Sequence, residues 1–103
     1  MEQNHQRALY IAYYLSRFDK KALKNLNYAT WTEAFNDIAF KMKVQKNSVK
    51  NWRDEFDPLF GHRAGWHNRP MAPSRNAIAE EMENLGEEDI WKIVIKILNG
   101  GEK

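Results

Sequence analysis

Apolar residues recur at spacings of three and four along most of this chain, the signature of helices that bury one face. Ala8, Ile11, Leu15 and Phe18 mark a first helix over about residues 3–18, with Tyr10, Tyr13 and Tyr14 widening its apolar face at the edge of a core. Asp19 is placed to cap a short helix through Leu23 and Leu26 that ends near Asn27. Thr30-Trp31-Thr32-Glu33 has the form of a capping box, in which Thr30 takes an orphan amide and Glu33 reaches back. The helix it opens carries Trp31, Ala34, Phe35, Ile38 and Met42 on one face. A tight turn at 43–45 follows, with Val44 at the corner, and then a helix over about 46–57 whose Val49, Trp52 and Phe56 point inward. Pro58 disfavours helical geometry at Asp57 and marks the stop. Ser74 caps a helix through Leu85, with Ile78, Met82 and Leu85 in register, and Gly86 terminates it. A last helix opens with Glu87, Glu88 and Asp89 at the positive end of its dipole and carries Ile90, Trp91, Val94, Ile97 and Leu98. No segment alternates as a strand does. The expected fold is all-α, a single compact domain over 1–103 with about five helices. The one long irregular stretch, 59–73, is punctuated by glycine and proline and has room for a short two-stranded wing at 61–73.

The residues between the apolar positions of the two middle helices change the picture most. Lys41, Lys43, Gln45, Lys46, Asn47, Lys50, Asn51 and Arg53 include five cations and no carboxylate. That is the chemistry of contacts to phosphates and base edges. The pattern I-A-x-x-M-x-V-x-x-x-S-V-x-x-W over residues 38–52 resembles the helix-turn-helix of bacterial repressors and site-specific DNA enzymes, whose second helix enters the major groove. One position departs from it: Lys43 stands where a glycine usually supplies positive φ. Carried over position by position, the resemblance puts Gln45 at the cap of the second helix, where it can hold a phosphate. Lys46, Asn47, Lys50 and Asn51 then lie on the outward leading turns. Lysine donates to guanine O6 and N7, and asparagine pairs bidentately with adenine N6 and N7. Lys43 and Arg53 suit the backbone. For Asn47 and Asn51 the plain alternative is surface polarity or helix capping.

The strings NSVKNWRDEFDP at 47–58, RAGWHNRP at 63–70 and PSR at 73–75 resemble a small helical domain that precedes the cleavage domain in bacterial restriction endonucleases and HNH-type nucleases. The resemblance spans nearly the whole chain. It implies a target-recognition module rather than the nuclease, either detached from its cleavage domain or standing alone.

Composition adds boundaries. The 103 residues contain four Trp, five Phe and four Tyr, with 43% hydrophobic residues, enough for one folded core. Cysteine is absent, which excludes disulfides, thiolate metal sites and a cysteine nucleophile and is compatible with a cytoplasmic protein. The polar start and the interruptions at Ser16 and Arg17 read as neither a signal peptide nor a membrane span. The net charge of +2 is uneven. Residues 41–76 hold eight cations against Asp54, Glu55 and Asp57, whereas residues 77–103 hold three cations against seven carboxylates. A basic middle offers one face to a polyanion such as double-stranded DNA. The acidic end either forms solvated helix faces or meets a protein partner.

Asp54, Glu55 and Asp57 invite comparison with the carboxylate clusters of nucleases, but no lysine or upstream acid completes such a pattern. Pairing with Arg63, Arg69 or Arg75, pinning the loop to the preceding helix, is the simpler expectation. Arg63, Arg69 and Arg75 are also candidate DNA contacts, as phosphate clamps or a minor-groove probe. His62 and His67 lack a third ligand for a metal, and Trp66 plugs a core or wedges between bases. No nucleophile elbow, P-loop or HNH motif is present, so neither an enzyme nor a cofactor is expected. The competing readings are a phage or mobile-element protein that inhibits or regulates a defence complex, and a small transcriptional repressor.

Overall fold

The computed structural model describes residues 3–57 and 73–99, the side chains at 3–5, 46 and 74 excepted. Its described residues form six helices and no strand: α1 (Gln3–Phe18), α2 (Lys20–Asn25), α3 (Trp31–Met42), α4 (Lys46–Phe56), α5 (Pro73–Met82) and α6 (Glu87–Leu98). The all-α expectation holds, and the six helices are the segments marked by the apolar spacing, one more than the count of about five given to them. The proposed wing at 61–73 lies outside the described residues up to residue 72, and Pro73 belongs to α5.

The first helix is the pillar of the fold rather than its edge. Residues 8–16 are buried without interruption, and α1 touches each of the other five helices. An amphipathic reading does not foresee this, because Tyr10, Tyr13 and Tyr14 each bring a hydroxyl. All three are at most 2% exposed, and each hydroxyl has a partner. Tyr10 donates to Glu81 at 2.5 Å, Tyr14 accepts from Asn25 Nδ2 at 3.1 Å, and Tyr13 accepts from Arg17 at 3.4 Å. Burial pushes the Tyr13 and Tyr14 hydroxyls above their ordinary pKa, so both remain neutral. Their rings extend the packing: Tyr13 meets Phe56 of α4 edge-on at 5.3 Å, and Tyr14 meets Phe18 at 5.3 Å.

Helix ends are set locally. Thr30 accepts a hydrogen bond from the Glu33 amide at 3.1 Å, the first half of the capping box, while among the described residues the Glu33 side chain does not return the bond. Asp19 occupies the N-cap of α2 and its carbonyl accepts from the Ala22 amide at 2.9 Å, but its side chain takes no part in the cap. Its backbone takes φ 51° and ψ −127°, so it acts as the hinge at which the chain leaves α1. Asn27 closes α2 in the left-handed region at φ 65°. Gly86 does not terminate α5, which ends at Met82; at φ −81° and ψ 172° it is the N-cap of α6. Ser74 lies within α5 and does not cap it.

Ile38, Ala39 and Met42 of α3 and Val49, Trp52 and Phe56 of α4 are all buried, so the inward faces match the periodicity. The joint between them is a complete Schellman ending. The Lys43 amide bonds to Phe40 O at 3.3 Å, the Val44 amide bonds to Ala39 O at 3.0 Å, and Lys43 sits at φ 57°, ψ 43°. A lysine holds the position where a glycine was the expected residue. It does so at a backbone strain of roughly 1 kcal/mol, offset by satisfying two orphan carbonyls.

Candidate nucleic-acid interface

Burying Val49, Trp52 and Phe56 against α1 and α3 leaves the opposite side of α4 outward. There Asn47, Lys50 and Asn51 are exposed, and Lys43 and Gln45 are exposed on the turn before it. Gln45 occupies the N-cap in extended geometry, and its side chain makes no capping bond. Neither asparagine caps a helix, so their amides are not committed to local backbone. Lys50 Nζ pairs with Asp54 Oδ2 at 3.1 Å one turn along the helix, an exposed contact worth roughly 0.3–0.5 kcal/mol that a phosphate can displace. The Lys46 side chain, Arg63 and Arg69 lie outside the described residues.

Two residues that sequence reasoning passed over complete this surface. Thr32 and Asn36, exposed on α3, line a shallow depression together with Phe35, Asn47 and Lys50. Their signal was available: they sit four apart, on the polar stripe of a helix whose buried stripe was recognised. Lys41 also lies on α3, bonded to Asp37 at 3.1 Å. The Asp37 carboxyl is held below its ordinary pKa, chiefly by the Tyr28 hydroxyl that donates to it at 2.5 Å and then by Lys41.

Arg53 departs from expectation. A phosphate-contacting arginine must point to solvent, yet this side chain is only 8% exposed. Its guanidinium lies 4.7 Å above the Trp31 ring and 5.0 Å from Phe35, two rings that stack on each other at 21°. Nη2 and Nε donate to Asp54 Oδ1 at 2.7 and 3.2 Å, and Nε approaches the fully buried Asp57 at 3.9 Å. Asp57 accepts a hydrogen bond from Ser16 of α1. Arg53 is therefore a strut joining α4 to α3 and α1, and it leaves the set of candidate backbone contacts. Asp57 also keeps right-handed helical angles, φ −53° and ψ −39°, although proline follows it; the Ser16 and Arg53 contacts hold it in a conformation that proline disfavours.

The remaining carboxylate of this helix is engaged in the same way. Glu55 meets Arg75 of α5 at 3.3 Å, and Arg75 also lies 5.7 Å over the Trp52 ring. The expected acid–arginine pairing is thus realised through Arg75, with Arg53 taking the other two acids. Arg75 remains a candidate DNA contact only in part, since its guanidinium is already spent on Glu55. Among the described residues no group of three histidine, aspartate or glutamate side chains is arranged to hold a metal, and no helix is long and apolar enough to cross a membrane.

No protein-family model matches the chain, and neither a curated protein nor a solved structure is significantly similar to it.

Proposed function

We propose that this chain is a duplex-DNA-recognition module in which α4 enters the major groove. The observation that carries the reading is the division of α4 into two sides. The carboxylates of the helix are engaged by Arg53 and Arg75, Asp54 being shared with Lys50. The outward side, continued by Lys43 and Gln45, keeps Asn47, Lys50 and Asn51 exposed beside Thr32 and Asn36. Asn47 and Asn51 offer paired donor and acceptor groups for base edges, and Lys43 and Lys50 offer point charges for phosphates. The strings at 47–58, 63–70 and 73–75 support a recognition role within a restriction or other defence nuclease, with cleavage supplied by a different domain.

The test is binding to random duplexes as a function of salt. With four to six cations of residues 41–76 on phosphates, log K falls against log salt with a slope of about −4 to −5. A flat response, or no binding at low salt, overturns the reading. One observation favours a second reading in that event. Glu80, Glu88 and Asp89 stand exposed on the last two helices, an acidic surface that suits contact with a basic protein, the behaviour of an inhibitor or regulator of a defence complex.

A further inference from the structure

The polar surface beside α4 does not end at α3. On the other side of the first turn of α3 an open cleft of about 540 Å³ separates it from α2. Leu23, Tyr28 and Trp31 form its floor, and Lys20, Lys24 and Thr30 its rim. Lys20 and Lys24 stand one turn apart on α2, both exposed, and neither forms an ion pair with a described residue. The contrast with the adjacent lysine is informative: Lys21 is bound to Glu87 of α6 at 2.9 Å, on the side away from the cleft. Two ammonium groups at one rim attract an anion of matching spacing; among the described residues no carboxylate lines the cleft itself, and Asp37, which accepts from the Tyr28 hydroxyl behind the floor, is neutralised in part by Lys41.

Continuity supplies the identity of that anion. Thr30 and Trp31 line this cleft, while the next residue, Thr32, lines the depression shared with Asn36, Asn47 and Lys50. Successive residues of the first turn of α3, which face directions about 100° apart, thus line the two hollows. We infer that Lys20 and Lys24 hold backbone phosphates of the same duplex that α4 reads, making the α2–α3 cleft a second backbone contact; this rests on the DNA-recognition reading above. Lysine acts there as a mobile point charge, without the fork geometry that selects a base edge. The apolar floor faces the deoxyribose between phosphates. The contact fixes register along the duplex and carries no sequence information.

The test uses the full chain with Lys20 and Lys24 both replaced by Ala, and as control Lys92→Ala with Lys96→Ala on α6. All four lysines are exposed, so thermal melting of each variant coincides with the parent. The cleft variant weakens binding to all duplexes alike and flattens the salt slope by about one to two units, with the sequence selected from a random pool unchanged. The α6 variant leaves both unchanged. A parent that binds duplexes salt-dependently, with the same slope in the cleft variant, overturns the cleft assignment alone. A parent with no salt-sensitive duplex binding overturns the recognition reading itself.

Discussion

Replacing Arg53 by Ala separates a strut from a phosphate clamp. In the parent the guanidinium donates twice to Asp54, faces the fully buried Asp57, and covers Trp31 and Phe35. Removing it leaves Asp54 with Lys50 and Asp57 with Ser16, so neither acid is stripped of every partner. Deleting one member of a buried ion pair costs about 3–5 kcal/mol. The surviving contacts place this case near the lower end, about 3 kcal/mol, including the lost cation–ring attraction. For a chain of this length that is roughly 12–20 °C in melting temperature. Urea unfolding followed by circular dichroism gives the value directly, as a shifted midpoint at unchanged slope. Arg53→Lys keeps the charge, loses the fork, and falls between the two; it also serves if the alanine variant does not fold. The reasoning fails if Arg53→Ala loses less than about 1 kcal/mol while duplex binding weakens and its salt slope flattens. That result would return Arg53 to the outward role its position in a cationic stretch suggests.

Lys43→Gly relieves the left-handed strain at φ 57°, partly offset by the greater freedom of unfolded glycine. Stability rises by about 0.5–1 kcal/mol, while the salt slope flattens by about one unit because a cation is gone; a fall in stability contradicts the assigned backbone geometry. Tyr28→Phe tests the acid side. Asp37 has a folded pKa below its unfolded value, so its contribution is complete above about pH 4 and is lost as pH falls through the folded pKa. The variant loses less stability than the parent between about pH 5 and about pH 3, read by chemical denaturation at each pH, and identical acid profiles would contradict the Tyr28–Asp37 bond. Arg63→Ala or Arg69→Ala weakens all duplexes alike and flattens the slope by about one unit, whereas loss of preference at particular base pairs would make these arginines readers.

The α3–turn–α4 succession was legible because its apolar spacing is strict and its ends are signalled by Thr30 and by the turn. Even the left-handed residue was located in advance, although a lysine occupies it. What escaped the pattern was chemistry that depends on distant partners. Tyrosines at the edge of a stripe and tyrosines at the centre of a fold look alike until Glu81, Asn25 and Arg17 meet their hydroxyls. Arg53 falls at a backbone-contact position of the helix-turn-helix pattern, yet Asp57 four residues later and the Trp31–Phe35 pair draw it in. Gly86 lies between two helices, and only its extended angles assign it to the second. Of the candidate contacts, Lys43, Gln45, Asn47, Lys50 and Asn51 stay outward, while Thr32 and Asn36 join them only once α3 and α4 are docked.

Selection from a random-sequence duplex pool, run with the parent and with Asn47→Ala and Asn51→Ala, bears most directly on whether α4 reads DNA. The account predicts that the parent enriches a defined site. Each asparagine variant then relaxes discrimination at one or two base pairs by about 1–3 kcal/mol each, with the salt slope nearly unchanged. If both variants select the parent's site with undiminished stringency, α4 is scaffold and its exposed face does not read bases.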